Sequence, residues 1–373
     1  LLDREEMVNI IGAEGFGERA YRYTISHKGI ERVHQVLERN QYLGPAPVPL
    51  ERYNAMIRAQ AVGDVIFEES QVWAAFEGLV LDQAMFDKIG PALMSGRSLF
   101  LYGPPGNGKT TIAGRMARLL ARDPIYIPYA VSVDSHIIKV FDEFNHTRAG
   151  ATPPAGPGNG GVDDGTAMLP DERWVLVHRP NIMVGGELTL EALNLIWDPA
   201  AKYYEAPLQM KANGGMFLID DFGRQQMDPQ DLLNRWIIPL ETRVDFLSLH
   251  TGKKIEIPFE QLVVFSTNLD PADLVDDAFL RRIRQKLKVD DPTPEEFHEI
   301  FQDVCRSRGV EYRQEGFVHL VREWYIKPKR AFKKCHPRDI LDQLQEITKY
   351  KRLKPVAVPE LIDLAASAYF ADL

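Results

Sequence analysis

Short, nearly unbroken apolar runs punctuate this chain at residues 98–102, 125–130, 215–219 and 262–267, and stretches with helical spacing lie between them. Runs this short, without polar interruption, read as strands buried on both faces. Their alternation with helical patterns is what a parallel α/β sheet requires. A further pair of apolar runs, 174–178 and 181–184, reads as a hairpin inserted into this domain. After residue 290 the pattern turns helical, with candidate helices at 294–306, 316–325, 337–353 and 359–370.

The beginning of the chain has a different texture. Two strand-like segments, 7–11 and 20–25, are joined through Gly15-Phe16-Gly17 and lead into a helix at 30–40. The chain opens on Leu1 rather than Met, so residues 1–45 are read as the remnant of a domain. Gly44-Pro45-Ala46-Pro47-Val48-Pro49 is stiffened by its prolines and reads as a linker, with a helix at 50–60 after it. Residues 147–170 are rich in Gly and Pro, bury too little apolar surface to order themselves, and are expected to be a mobile loop. The expected division is therefore an N-terminal remnant at 1–45, a linker and helix at 46–61, an α/β core at 62–290 and a helical region at 291–373.

Composition narrows the chemistry only a little. The net charge of -9 disfavours indiscriminate binding to nucleic acid or acidic membranes, although a local basic patch is compatible with it. Cys305 and Cys335 are too few for a disulfide framework or a cysteine-rich zinc site, so a reducing cytoplasm is the expected setting. No apolar run reaches the length of a membrane span and no charged-then-apolar leader opens the chain, so neither a membrane segment nor a signal peptide is expected.

Candidate chemistry begins directly after the first apolar run. Gly103-Pro104-Pro105-Gly106-Asn107-Gly108-Lys109-Thr110 fits G-x-x-x-x-G-K-S/T, with a strand-like run before it and a helix-like stretch from Thr111 after it. Glycines let successive backbone N–H groups curl around a phosphate, the helix N-terminus adds positive potential, and Lys109 supplies a point charge toward the β- and γ-phosphates. The Thr110 hydroxyl suits Mg²⁺. The alternative is a Gly/Pro turn that happens to end in Lys-Thr, and both flanks argue against it.

The run at 215–219 ends in Asp220 and Asp221, which puts two carboxylates at the C-terminal edge of a parallel sheet beside that loop. Asp220 is the candidate for the Mg²⁺ shell, and Asp221 for orienting or deprotonating an attacking water. The run at 262–267 ends in Asn268, whose amide can bridge a water or the γ-phosphate.

Taken together, these motifs resemble those of the AAA+ ATPases. The family's Walker A corresponds to Gly103-Thr110, its Walker B to residues 216–221 and its sensor 1 to Asn268. The stretch 276–284, with Arg281, Arg282 and Arg284, resembles the segment carrying the arginine finger. His336-Pro337-Arg338-Asp339 resembles sensor 2 in the helical lid, which makes Arg338 a nucleotide-contacting candidate. The resemblance covers residues 62–353. It implies ATP and Mg²⁺ as ligands, a P-loop sheet with a helical lid, and a ring, in the family a hexamer, because an arginine supplied by a neighbour completes each site. One departure is Asp221, where the family has Glu, with about 1.5 Å less reach.

Residues 206–215 and 244–257 resemble the helix-2 insert and presensor-1 hairpin of some AAA+ subgroups, so the 174–184 hairpin and the Gly252-Lys253-Lys254 tip are candidates for substrate contact or for bracing neighbouring subunits. The remnant at 1–45 resembles part of a winged-helix domain. Joined to the proline linker, it is similar to bacterial ATPases described as chaperone-like and associated with Flp or type IV pilus assembly. That implies a secretion or pilus component as partner, at the inner face of a membrane. Three functions compete at this stage. One is a motor that remodels or assembles a protein complex. Another is a DNA-directed regulator using the winged helix and the basic stretch at 327–334. The last is a slow, nucleotide-switched scaffold, suggested by Asp221.

Overall fold

The computed structural model describes residues 2–13, 21–150, 171–274 and 277–370. At its centre are the strands β1 (Ser98–Tyr102), β2 (Asn181–Val184), β3 (Met216–Ile219), β4 (Leu262–Thr267) and β5 (Gln285–Lys288), ordered β5-β1-β4-β3-β2 with every neighbouring pair parallel. The helix α1 (Lys109–Leu120) follows β1, and α2 (Pro229–Thr242) follows β3. The fold is α/β with a helical C-terminal region, as the apolar runs predicted.

Burial on both faces explains why those runs lack polar interruptions. Leu99, Leu101, Met216, Leu218, Leu262 and Val264 pack on one side with Ile112, Ala113 and Met116 of α1. The intervening Phe100, Phe217, Ile219, Val263 and Phe265 pack on the other with Trp236 of α2. Because the strands are parallel, the residues that follow β1, β3, β4 and β5 all emerge at one edge.

Two expectations about strand pairing fail. The run at 125–130 is not part of this sheet: Ile125–Pro128 pairs antiparallel with Trp174–Val177, and the chain then enters a different strand, Ala130–Val133. Nor do 174–178 and 181–184 form a hairpin, since Asn181–Val184 is β2 itself. Between them Arg179 is buried and donates to the carbonyls of Gln60 (2.8 Å) and Gly214 (2.5 Å), with Asp123 as its ion-pair partner at 2.6 Å. The Pro180 carbonyl accepts from Met216 N at 2.8 Å. These contacts lead the chain onward into the central sheet where a turn would have folded it back.

A second five-stranded sheet contains Val48–Pro49, Ala130–Val133, His136–Lys139, Tyr203–Glu205 and Ile196–Asp198. It shares a core with the hairpin Val244–Ser248/Lys254–Pro258 and with Tyr53 and Ile57 of the helix Leu50–Ala59. At the N-terminus Val8–Ala13 and Tyr21–Ile25 pair antiparallel and lead into the helix His27–Leu37. Most of the stretch expected to be a mobile loop, 151–170, lies outside the described residues. Among those described, no helix is long and apolar enough to cross a membrane.

The C-terminal region has a core of its own. α3 (Pro294–Arg308) opens on a capping box between Thr293 and Glu296 and stops at Gly309, whose φ is 66°. Its Phe297, Phe301 and Cys305 pack against residues of α4 (His336–Lys351) and α5 (Pro359–Tyr369). The helix Gln314–Leu320 runs on into a wider turn at Val321–Ile326. Phe301 is fully buried there. Phe301→Ala is expected to cost about 3–5 kcal/mol, read as a lower urea midpoint for the C-terminal region by tryptophan fluorescence of Trp324.

Candidate active site

The loop after β1 is shaped by glycines that could not carry side chains. Gly103 has φ 128°, and a Cβ there would stand 2.5 Å from the Val289 carbonyl oxygen. Gly106 (φ 81°) would place one 2.8 Å from Cys335 Sγ. Gly108, at φ 87°, immediately precedes α1 and turns the backbone into its first turn, where Lys109 and Thr110 sit.

Lys109 is buried and its ammonium is fully engaged. Nζ donates to the carbonyls of Gly103 (2.8 Å) and Pro104 (3.0 Å) and to Asn268 Oδ1 (2.7 Å). Burial lowers its pKa; Asp220 and Asp221 oppose the shift and Lys333 adds to it. The Asn268 amide faces two ways, because its Nδ2 donates to Asp221 Oδ1 at 3.0 Å. Thr110 Oγ1 donates to Asp220 Oδ2 at 2.8 Å. Lys109, Thr110, Asp220, Asp221 and Asn268 thus meet at the sheet edge. Asp221 adopts φ 49°, in the left-handed region, and its N–H donates to Asp220 Oδ1 at 3.1 Å.

Several neighbours were not apparent in the sequence. Gln225 donates through Nε2 to the carbonyls of Asp220 (3.1 Å) and Asp221 (3.2 Å), bracing the acidic turn. A cavity of about 230 Å³ opens beside Gly106, Asn107, Gly108 and Thr111, closed by Leu79, Val80 and Leu81 on one side and by Ile300, Val304, Cys335 and Arg338 on the other. Its apolar lining suits a flat heteroaromatic ring. Only the apolar triplet Leu79-Val80-Leu81 could have flagged it. A larger cleft, about 550 Å³, lies at the opposite sheet edge against Gln60, Asp123 and Arg179 and contains none of the acidic, lysine or amide groups just described. Pro104 and Pro105 complete the loop, with Pro105 exposed.

Arg338 lines the cavity while holding Asp339 Oδ1 at 2.8 Å. The arginines before β5 stand elsewhere. Gln285 is in register with Leu99 at the start of β1, so Arg281, Arg282 and Arg284 lie at the far edge, a strand length of about 15 Å from the glycine loop that follows β1. Arg282 is ion-paired with Glu241 of α2 at 2.7 Å, whereas Arg281 and Arg284 are exposed. Residues 275 and 276, at the head of that segment, lie outside the described residues.

The basic stretch at 327–334 is largely used internally. Lys327 pairs with Glu323, Arg330 stacks on Phe370 with its guanidinium carbon 3.6 Å from the ring centroid, Lys333 pairs with Asp291 and Lys334 donates to the Val80 carbonyl. Lys253 at the hairpin tip likewise pairs with Asp134 at 2.5 Å.

Residues 293–368 match the family described as Domain of unknown function (DUF8689). Among curated proteins, none matches the chain. Solved structures similar to it include NtrX from Brucella abortus in complex with ADP, at 12% identity and a TM-score of 0.44, covering 78% of this chain and 56% of that one. They also include the Thermotoga maritima RuvB Holliday junction branch migration motor, at 14% identity and a TM-score of 0.39, covering 84% and 73% respectively. This chain therefore spans little more than half the length of that NtrX. At such low likeness the chemistry of the site is decided by the geometry of this chain.

His336, at the start of α4, offers a check on this region. Burial lowers its pKa to about 4, Asp339 opposing and Arg330 and Lys333 reinforcing, and its Nδ1 is 2.9 Å from the Tyr325 hydroxyl. The unfolded chain takes up a proton near pH 6.5 that the folded imidazole resists until about pH 4, so the stability this group contributes is present above pH 6.5 and falls as pH drops through that window. His336→Gln is expected to flatten the stability profile between those limits, measured by chemical denaturation at stepped pH.

Proposed function

We propose that the chain is an AAA+ ATPase that hydrolyses ATP within a ring of subunits to remodel or assemble a protein complex. The observation that carries this reading is the bonded set Thr110–Asp220 and Lys109–Asn268–Asp221 gathered around a glycine loop at one edge of a parallel sheet. That loop would wrap phosphate oxygens with the backbone N–H groups of residues 106–111, and Lys109 would exchange its carbonyl partners for the β- and γ-phosphates. The Thr110 hydroxyl and Asp220 carboxylate are hard oxygen donors already side by side, which fits Mg²⁺. Held by Thr110 and Asp220, Mg²⁺ would supply charge neutralisation on the phosphates.

The remaining steps belong to this chain's own side chains. Asp221 orients the attacking water and accepts its proton, while Asn268 holds that carboxylate and Lys109 at fixed separation. The shorter reach of Asp221 relative to Glu points to slow turnover. The adenine ring belongs in the cavity between Leu79–Leu81 and the lid. Of the paired Arg281 and Arg282, Arg281 is favoured as the finger entering a neighbour's site, because it is exposed at the sheet edge opposite its own loop, whereas Arg282 is held by Glu241; Arg284, also exposed, is the next candidate. A protein substrate is favoured over DNA because, within the basic stretch, Arg330, Lys333 and Lys334 are held by Phe370, Asp291 and the Val80 carbonyl, which leaves fewer cations for a phosphate backbone. The finer assignments, a hexamer at the inner face of a membrane serving a pilus or secretion component, rest on the similarity of the winged-helix-like N-terminus and proline linker.

Steady-state ATP hydrolysis measured against protein concentration tests the reading. Turnover is expected to rise with concentration. Lys109→Ala is expected to lose nucleotide binding, and Asp221→Asn to keep binding while losing about a hundredfold or more in rate. Arg281→Ala subunits are expected to lose about a thousandfold, with wild-type subunits partly restoring rate in mixtures. Stimulation by duplex DNA would replace the protein-motor reading with the regulator, and assembly on ATP without turnover would replace it with the switched scaffold.

A further inference from the structure

Lys333 stands between the helical region and the phosphate loop. Its stem packs on the loop, with Cβ 3.5 Å from where a Cβ on Gly106 would lie. The ammonium donates to Asp291 Oδ1 at 2.6 Å, and the same carboxylate oxygen accepts from Asn107 Nδ2 at 2.7 Å. Asn107 is only 2% exposed, and its Oδ1 accepts from the Lys334 backbone N–H at 3.2 Å. Next along, the Cys335 N–H donates to the Gly106 carbonyl at 2.9 Å. The segment entering α4 therefore hangs on the loop by two backbone amides, and on Asp291, which itself accepts from Asn107, by one ion pair.

The position of that ion pair has electrostatic consequences. Asp291 lies just beyond β5, two residues after Val289, whose carbonyl closes on Gly103. Although burial opposes it, Asp291 is held below the usual carboxylate range by Lys333 and Asn107. Lys333 is in turn close enough to Lys109 to disfavour its charge. A polyphosphate bound by the loop brings several negative charges to the same spot, attracting Lys333 and repelling Asp291.

We propose that Lys333 is a phosphate-responsive lid cation: Asp291 holds it in this structure, a bound nucleotide's phosphates compete for it, and the exchange carries nucleotide occupancy into α4. The proposal rests on the nucleotide-binding reading above and adds to it a positioning residue, distinct from Arg338, and its competitor.

The competition predicts effects of opposite sign, which a plain structural tie would not. ATP affinity of the full chain is measured by calorimetry for wild type, Asp291→Asn, Lys333→Met, the double variant and Lys333→Arg. Amide exchange across residues 330–340 is followed with and without ATP. Asp291→Asn is expected to tighten binding and Lys333→Met to weaken it, each by roughly three- to tenfold, with the double variant following Lys333→Met and Lys333→Arg near wild type. Wild-type exchange at 330–340 is expected to change on adding ATP, and that of Lys333→Met to stay the same. Single variants that shift affinity in the same direction, or an exchange response that persists in Lys333→Met, would overturn the proposal. Lys333→Arg and the near-isosteric Asp291→Asn keep the comparison valid if Lys333→Met fails to fold. Wild type that binds no ATP, or Lys109→Ala that binds it equally well, would overturn the nucleotide-binding reading and this proposal together.

Discussion

A buried ammonium must be met by oxygens, and the C-terminal edge of the central sheet is arranged around that requirement at Lys109. Two loop carbonyls and the Asn268 amide surround it. Leaving such a charge unpartnered in a partly buried site would cost several kcal/mol, so the loop, the end of β1 and the end of β4 are tied to one another's positions. The Asn268 amide passes the constraint to Asp221, and the Asp221 backbone passes it to Asp220 and Thr110. Each of these contacts offers an atom that a phosphate, a metal or a water could replace at little geometric cost, so the arrangement is suited to exchanging partners while staying in place.

The helical region bears on the same edge through short-range contacts. Its own core, built on Phe297, Phe301 and the buried faces of α4 and α5, makes it a stiff body, while Lys333, Lys334 and Cys335 join it to the loop. A small movement of the loop backbone at Gly106 or Asn107 is thereby felt at the first turn of α4. Well-packed cores respond to such a push by shifting as units rather than by deforming.

Much of the architecture was readable in the order of residues because burial on both sheet faces leaves a strong mark. Residues 98–102, 216–219 and 262–267 contain almost nothing polar, and each is a central strand. The failures have one cause: a run of apolar residues announces a strand and is silent about its partner. Residues 125–128 and 174–177 look like central strands or half of a hairpin, yet they pair with each other, and Arg179 and Pro180 then carry the chain into the central sheet. The Gln225 brace and the Asp291 contact had no local signature, and the apolar triplet Leu79–Leu81 did not disclose its partners, since each acquires its role from residues distant in the chain.

What the sequence determined by itself is therefore chemistry bound to local backbone: a glycine loop ending in Lys109-Thr110, and strands terminating in Asp220-Asp221 and Asn268, because these features depend on neighbours in the chain. Tertiary structure alone decided which of the charged groups are spent and which are free. Arg282 is taken by Glu241 and Arg281 is left exposed, while Arg330, Lys333 and Lys334 before α4 are drawn inward by Phe370, Asp291 and the Val80 carbonyl. An ion pair falls off steeply with distance and with solvent between the partners, so the use of a charge is settled only when folding has chosen what stands within a few ångströms of it.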